Sequence, residues 1–460
     1  MRRSSKVIFF LVLVVIWISC KKEDQKTDID QEELNPEYYS GGSTTSFDAS
    51  TSAYRRALCN LSSEGISLHT LGDGFFHQNF NPIGSPDAPG LGPLFIESSC
   101  ASCHIQNGRG NLITNSLEGF LLRVSIPGSG IYGEPLGIPG YGGQLQTNAI
   151  EGALPEGQVA IIWDDIPITF PDGYQVILKQ PYFSINNPYT TLPPFYLRGG
   201  RTAPPIYGAG LLDAISEETL LALADEFDDD GDGISGKINR VWNKQLNALT
   251  IGRFGWKSSN PNALQQTAEA FSQDMGVTSF LFPLESCEGQ SNCIGGTQEG
   301  GDISADLLNA TNYYILTLAP PAPRNLENPA VIRGKQLFSE LACAKCHLPE
   351  VTTGVHAIPE LSNQVIRPYT DLLLHELGAG LGDGRPDYDA GANEWRTPPL
   401  WGIGLTKLVN PNAGFLHDGR AATLEEAILW HEGEAEDSKV VYMNLNAADR
   451  AAIIAFLEAL

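Results

Sequence analysis

The short motif Cys-x-x-Cys-His occurs twice in this chain of 460 residues and constrains it more than any other feature. The two copies are Cys100, Cys103 and His104 in "SSCASCHIQNGRG", and Cys343, Cys346 and His347 in "CAKCH". The whole chain holds only eight cysteines and eight histidines, so two chance copies are improbable.

Three kinds of site use a Cys-x-x-Cys pair: a redox dithiol, half of a zinc site, and the attachment point of a c-type haem. A redox dithiol does not need the histidine, and a zinc site needs a second ligand pair nearby. A c-type haem needs all three residues, because the cysteines form thioethers and the histidine binds the iron. The motifs therefore predict two covalently bound haem c groups, with His104 and His347 as iron ligands.

The N-terminus, "MRRSSKVIFFLVLVVIWISC", has a basic start and an apolar run that is short for a membrane span. Ser19 precedes Cys20 and polar residues follow, as in a bacterial lipobox with an acylated cysteine. We expect a signal peptide at 1–19 and a flexible tether at 20–50. The protein would then be a membrane-anchored lipoprotein of the bacterial cell envelope, facing the periplasm or the cell surface. The alternative is an ordinary signal peptide with an incidental cysteine.

Another cysteine pair lies in the Gly-rich stretch "ESCEGQSNCIGG". In an oxidising compartment, Cys287 and Cys293 are expected to form a short disulfide loop.

The formal net charge of −25 argues against binding to nucleic acid. An acidic surface would attract a basic electron-transfer partner. It would equally keep a secreted protein soluble.

A stretch of β character follows the first motif. The segments "FLLRVSIPG", "GQLQTNAI", "VAIIWDDIPITF" and "YQVILKQPYFSI" are apolar, β-branched and bounded by Gly and Pro, which predicts strands. Helices are predicted for "SEETLLALADEF", "NALQQTAEAFSQDM" and "SADLLNATNYYILTLA". The stretch "APPAPRNLENP" then breaks any helix and marks a domain boundary.

The expected fold is mainly α, with two cytochrome c-like domains, the first enlarged by a β-strand insertion. The first haem domain would span 51–322 and the second 323–460. In the second, a helix leads into "CAKCH" and the amphipathic "LNAADRAAIIAFLEAL" closes the chain. The halves also share a turn, "GGRTAPPIYGAGLL" and "EWRTPPLWGIGLTK", which favours two related units.

Four segments carry a resemblance to a known family: "GLGPLFIESSCASCH", "GRFGWK", "EWRTPPLWGIGL" and "FLHDGRAATLEEAILWHEGEA". In these segments the sequence resembles the di-haem oxidoreductases, also labelled thiol oxidoreductases. That family is similar to bacterial di-haem cytochrome c peroxidases and to the di-haem enzyme of methylamine utilisation. The resemblance covers nearly the whole chain after about residue 55. It implies one haem for electron transfer and one able to activate peroxide.

The resemblance also implies a sixth ligand for the second haem. Related peroxidases take it from a helix after a His-x-Gly turn, which here is His417 in "HDGR". His431 falls 14 residues after His417, so it inherits the ligand role in place of the usual Met or Tyr. His417 itself is expected to bond a haem propionate or the backbone. The alternative for His431 is a surface histidine at a helix end.

The first haem has no equally clear partner. Candidates for its sixth ligand are His69, His77, His375 and Met275. An open iron would need an acid or base nearby to help cleave the O–O bond. Candidates for that catalytic role are Glu151 and Glu156 in "AIEGALPEGQ", and His375 at the interface between the haems. Candidates for residues that carry electrons between the haems are Trp256, Trp395, Trp401 and Trp430.

The segment "DDDGDGISGKIN" resembles the first half of an EF-hand loop, with Asp228, Asp230 and Asp232 as possible calcium ligands. Position twelve is Asn239 instead of the usual Glu, so the match is partial. The alternative is an acidic, solvated turn.

The sequence thus predicts a di-haem c oxidoreductase, peroxidase-like, with hydrogen peroxide as oxidant. Its donor would be a redox partner protein or a quinol-linked donor. The alternative is a non-enzymatic di-haem electron carrier of a respiratory or iron-uptake system.

Overall fold

The computed structural model describes residues 35–82, 90–293 and 301–460. The predicted signal peptide, Cys20 and most of the predicted tether lie outside these ranges. From Asn35 onward, the segment predicted as tether is packed: Ser46 is fully buried and its N–H donates to the carbonyl of Pro320. None of the helices in the described part of the chain has the length and apolar character needed to cross a bilayer.

Helices form throughout the described ranges, many of them a single turn long. The α-helices are α1 (Ser63–His77), α2 (Cys100–Cys103), α3 (Ala209–Asp213), α4 (Glu217–Leu223), α5 (Ala263–Met275), α6 (Ala305–Leu316), α7 (Pro329–Glu340), α8 (Cys343–Cys346), α9 (Gly378–Leu381), α10 (Thr406–Val409), α11 (Leu424–Leu429), α12 (Glu436–Asn444) and α13 (Ala447–Ala459). Short 3₁₀ turns lie at Pro36–Tyr38, Gly42–Thr44, Ala53–Arg55, Ile105–Asn107, Pro359–Leu361, Ile403–Leu405 and Gly433–Ala435.

The strands form several small sheets. They are β1 (Asn81–Pro82), β2 (Gly90–Leu91), β3 (Leu94–Phe95), β4 (Leu121–Ser129), β5 (Pro135–Leu136), β6 (Asn148–Ala149), β7 (Gln158–Thr169), β8 (Gln175–Asn186), β9 (Leu197–Arg201), β10 (Arg240–Asn243), β11 (Ala248–Ile251), β12 (Val351–Thr352), β13 (Val365–Ile366), β14 (Leu374–Glu376) and β15 (Glu394–Arg396). The largest described sheet has the order β5-β4-β9, and the others are strand pairs.

The fold class predicted from the sequence is wrong. The chain is mixed α/β, with 31% helix and 20% strand, and not mainly α. Three of the four predicted strands are present as β4, β7 and β8, and "GQLQTNAI" contains only the two-residue β6. Short pairs such as β10-β11 and β14-β15 add strand elsewhere. These pairs consist of two to four residues per strand, too short for a clear alternation of apolar and polar side chains.

Two pairs of helices cross at a glycine. A Cβ at Gly72 of α1 would strike the carbonyl of Ala310 on α6, and a Cβ at Gly334 of α7 would strike that of Ala452 on α13. Glycine therefore permits the backbones to approach closely at both crossings. One helix of each pair precedes a Cys-x-x-Cys-His motif along the chain: α1 precedes the first and α7 the second.

The repeated turns predicted from the sequence meet face to face. The Tyr207 hydroxyl donates to the carbonyl of Trp401 (3.0 Å). Gly208 and Gly402 have φ of 73° and 72°, and a Cβ at either would strike the aromatic ring of the other turn. Glycine is thus favoured at both positions for two reasons: the backbone has a positive φ, and the neighbouring ring leaves no room for a Cβ.

The hairpin β7-β8 is a long arm between two cores. At its base, Phe183 and Ile185 pack with Phe120 and Leu122, while Phe170 at its tip packs with the core of α7 and α13. An ion pair of Asp172 with Arg450 (2.6 Å) holds the tip. The arm therefore links the region of the first motif to the C-terminal helices.

The predicted disulfide between Cys287 and Cys293 is present. The predicted domain boundary at 322/323 stays a prediction. One hydrophobic core contains Tyr54 and Leu211 from one side of it, and Leu361 and Trp401 from the other.

Candidate functional site: two histidine-bearing cavities

The first motif is a single helical turn, α2, that ends at His104. Ser99 caps this turn by accepting the N–H of Ser102. His104 Nδ1 lies 2.8 Å from the carbonyl oxygen of Pro204. A carbonyl can only accept, so Nδ1 carries the proton and Nε2 keeps its lone pair for a metal.

The second motif repeats this arrangement on α8. His347 Nδ1 donates to the carbonyl of Tyr369 (3.0 Å), which again leaves Nε2 available. Burial lowers the pKa of both His104 and His347 to about 4. Both rings are therefore neutral at physiological pH, the form that binds a metal.

Each motif lines a cavity. Cys100, Cys103 and His104 line the first cavity. Cys343, Cys346 and His347 line the second, whose other walls are largely aliphatic and aromatic. Each cavity thus presents two sulfur atoms and one neutral imidazole, the donor set that a c-type haem requires.

His431 lines the second cavity together with His347. Its Nδ1 donates to the carbonyl of Ala427 (2.8 Å), one turn earlier in α11, so its Nε2 is also available. Burial lowers its pKa. The structure therefore places two neutral imidazoles, with equivalent free nitrogens, at one cavity.

His417 also lines the second cavity, but its ring is stacked on another residue. It lies parallel to Trp395 at 3.7 Å between ring centroids. Burial and the nearby cations Arg420, Arg201 and Lys257 hold its pKa well below the ordinary value. Its carbonyl accepts the N–H of Thr202, which ties this turn to the first half of the chain.

His375 lines the second cavity and not the first. Its Nε2 bonds Asp371 (2.8 Å) and its Nδ1 bonds Glu434 (2.7 Å), so both ring nitrogens carry protons. Burial alone would lower the pKa of His375, but Asp371, the sulfur of Cys346 and Glu434 raise it well above 6.5. This imidazolium has no free nitrogen to bind an iron or to accept a proton.

Of the other candidates for a sixth ligand at the first cavity, only Met275 lines it. His69 bonds the hydroxyl of Thr317 (2.8 Å), and His77 forms an ion pair with Asp73 (3.0 Å). Neither histidine lines either cavity.

The proposed acid–base glutamates lie away from both cavities. Glu151 is exposed, and Glu156 is buried, where Oε2 accepts the N–H of Gln146 (2.7 Å). Burial raises the pKa of Glu156 to about 8. Their catalytic role stays a prediction, and their placement does not bring them to the first motif.

A carboxylate that the sequence reasoning missed does line the first cavity. Glu269 on α5 is held by Arg123 (3.2 Å) and by the side-chain amide of Asn260. The residues of α5 that line the cavity are Ala263, Gln266, Thr267, Glu269, Ala270, Asp274 and Met275. Their spacing of three and four marks one face of the helix, a pattern that the sequence contains.

The tryptophans occupy different positions. Trp256 lines both cavities, and its indole N–H donates to the carbonyl of Thr202 (2.9 Å). Trp395 lines the second cavity, while Trp401 and Trp430 line neither. Trp256 is therefore the tryptophan best placed between the two cavities.

The acidic loop that resembles an EF-hand brings Asp225, Asp228 and Asp230 together, with one oxygen from each within 4.8 Å of the others. Asp232 pairs instead with Lys345, inside the second haem motif. Calcium binding stays a prediction.

The chain was compared with known proteins. The family model described as "Di-haem oxidoreductase, putative peroxidase" matches residues 37–460. Hydrazine synthase of Kuenenia stuttgartiensis aligns over 100% of both chains, at 14% identity and a TM-score of 0.38. The diheme peroxidase BthA of Burkholderia thailandensis aligns over 91% of both chains, at 14% identity and a TM-score of 0.27. No curated protein matches the chain significantly.

Proposed function

This chain belongs to the di-haem oxidoreductase family, and from that premise we propose that it is a peroxidase-like enzyme. It takes single electrons from a donor at the second cavity and passes them to the first, where hydrogen peroxide is reduced. Each turnover consumes one peroxide, two electrons and two protons, and yields two waters.

The observation that carries this proposal is the difference between the two cavities. The second presents a further imidazole besides that of His347, namely that of His431, and the two would hold an iron together. Among the histidines in the described ranges, His104 alone lines the first cavity. A filled coordination position suits electron transfer and an open one suits chemistry on a substrate.

The donor set fits two covalently attached haem c groups. The Nδ1 bonds of His104 and His347 fix the ring orientation that directs Nε2 to a metal. When bound, c-type haem supplies one-electron redox chemistry and, where a coordination position is open, a site that activates peroxide.

Glu269 is the residue that we assign to proton transfer in the first cavity. It replaces Glu151 and Glu156, which do not line that cavity. Arg123 and Asn260 hold the carboxylate of Glu269, so it can take a proton from peroxide and return it to the departing oxygen without moving. Trp256, which lines both cavities, shortens the path for electrons between them.

A second candidate function is a non-enzymatic electron carrier of a respiratory or iron-uptake system. Met275 favours it, because this residue is 2% exposed and lines the first cavity, where a thioether could fill the sixth position. In either case the donor would be a redox partner protein or a quinol-linked donor.

The test combines the intact mass of the protein, its electron paramagnetic resonance spectrum and a variant of the first motif. Protein matured in a strain that assembles c-type cytochromes should carry two haems by intact mass, and Cys100→Ala with Cys103→Ala should remove one. Electron paramagnetic resonance of the oxidised protein should show one high-spin and one low-spin ferric centre. Two low-spin ferric signals in the oxidised protein, with the remaining ferric haem still low-spin after one-electron reduction, would favour the carrier instead.

Glu269→Gln should lower peroxide turnover by about 10²-fold while both haem spectra stay unchanged. Glu118→Gln, at an exposed position that lines neither cavity, is the control. Equal turnover in the two variants would remove Glu269 from the mechanism.

A further inference from the structure

Two arginines lie between the cavities. Arg109 and Arg396 each line both of them, as does Trp256, whose ring centroid lies 5.3 Å from the Arg109 guanidinium carbon. The two arginines come from opposite halves of the chain, because Arg109 follows the first motif and Arg396 stands in the second repeated turn.

Neither guanidinium forms an ion pair within the described ranges, although the charge of Asp371 raises the pKa of Arg396 against the effect of burial. Arg109 donates to the carbonyls of Gly414 (2.9 Å) and Leu416 (2.8 Å). Arg396 donates to the carbonyls of Gly255 (3.0 Å) and Thr397 (3.1 Å). In these ranges the terminal nitrogens Nη1 of Arg109 and Nη2 of Arg396 make no hydrogen bond.

Such a pair is costly without an anion. Both arginines are 7% exposed, and burial lowers the pKa of each to about 10. At that value both remain charged at neutral pH, and a buried charge without a counter-ion destabilises a fold. Carbonyl oxygens satisfy hydrogen bonds but do not neutralise the charge.

The corresponding arginine of the first repeated turn is different. Arg201 pairs with Asp383 (2.6 Å), which also pairs with Lys257 (3.1 Å). Arg201 lines the first cavity and not the second. Arg201 thus has a carboxylate of the protein as its partner, whereas Arg109 and Arg396, which face both cavities, form no ion pair within the described ranges.

We propose that Arg109 and Arg396 form one shared anion site that binds haem carboxylates from both cavities. The inference rests on the proposed function, since it requires a haem in each cavity. Every haem c carries two propionates, so the missing counter-ions arrive with the cofactors. Because each guanidinium serves both haems, the loss of one positive charge alters the redox potential of both haems together.

The experiment is a redox titration of the two-haem protein with Arg396→Gln and, separately, Arg109→Gln. The loss of a buried positive charge stabilises ferric over ferrous iron, so the midpoint potentials of both haems should fall in each variant. The matched control is Arg253→Gln: Arg253 also donates to carbonyls, those of Ile215 and Pro261, but lines only the first cavity. In this control only the first haem should shift.

The outcomes separate the two proposals. Wild-type protein with fewer than two haems by intact mass would overturn the proposed function. Two haems together with a shift confined to one of them in Arg396→Gln would overturn the shared site alone. If Arg396→Gln does not accumulate, Arg109→Gln decides by the same criterion, because it removes the other half of the site from a different segment.

Discussion

His347 and His431 line one cavity, and each donates its Nδ1–H to a backbone carbonyl, that of Tyr369 in one case and of Ala427 in the other. The two rings therefore have the same tautomer and the same free nitrogen. Because both are partly buried and neutral, they would be suited to hold one iron together.

His431→Ala should convert the second haem from low-spin to high-spin, or to a water-bound form, and leave the first haem unchanged. His431→Met should restore a low-spin haem at a higher potential, because thioether ligation raises the potential relative to imidazole. Near-infrared magnetic circular dichroism distinguishes the two ligand sets.

The control for this prediction is His356→Ala. His356 is in the same half of the chain but contacts Asp213 (3.4 Å) and lines neither cavity. An unchanged spectrum in His431→Ala would show that another residue, with Met443 the next to test, fills the sixth position.

Local features of the fold were predictable from the sequence because they depend on neighbours in the chain. Ser216, the first residue of the predicted helical segment "SEETLLALADEF", caps α4 by accepting the N–H of Thr219, and serine is favoured at this position. The strands β7 and β8 were predicted for the same reason, since each is a run of β-branched and aromatic residues ending at a turn.

The parts that the sequence did not reveal depend on distant residues. Asp383 contacts Arg201, which is 182 positions away in the chain. Strand β4 pairs with β9 so that Leu121 lies opposite Arg201. Neither contact leaves a periodic signal in one segment. Glu269 was missed for another reason: the helix α5 was predicted, but which of its faces meets the first motif follows only from the tertiary packing.

Glu156→Gln should make the protein less sensitive to rising pH. The unfolded carboxyl loses its proton near the ordinary pKa of 4.5, whereas the buried carboxyl keeps it up to about pH 8. The wild-type fold therefore loses stability as the pH rises from 4.5 to 8, and a neutral amide removes that loss.

Thermal unfolding at several pH values measures this effect. The Tm of Glu156→Gln should exceed that of the wild type by an amount that grows between pH 5 and 8. Glu151→Gln, in the same loop but exposed, should follow the wild type. Parallel curves for Glu156→Gln and the wild type would contradict the assignment.

Cys20→Ser should release the protein from the membrane fraction if Cys20 is acylated. Its acyl chains would be the anchor, and no helix in the described ranges is able to replace them by crossing the bilayer. Fractionation, with mass spectrometry of the N-terminal peptide, measures the result. Persistent membrane attachment of the variant would refute lipidation of Cys20. Wild-type protein that is already released, with no lipid on its N-terminal peptide, would argue for an ordinary signal peptide.

Asp383→Asn should be strongly destabilising, because Asp383 is the shared counter-ion of two buried cations. Burial would raise its pKa, but Arg201 and Lys257 hold the pKa below the ordinary 3.8. Burial also lowers the pKa of Lys257 to about 8, which shows how costly that charge is in this place. Removal of one partner of a buried ion pair costs about 3–5 kcal/mol.

The pH dependence has a definite sign. A carboxyl with a lowered folded-state pKa stabilises the fold above its unfolded pKa, and this stability is lost as the pH falls through the folded value. Asp383→Asn should therefore lower the free energy of unfolding at pH 7 and approach the wild type only in acid below about pH 3.8. The matched control is Asp165→Asn, whose exposed pair with Lys179 is worth roughly 0.2–1 kcal/mol. Equal losses in the two variants, measured by urea unfolding, would show that the Arg201–Asp383–Lys257 cluster does not stabilise the fold.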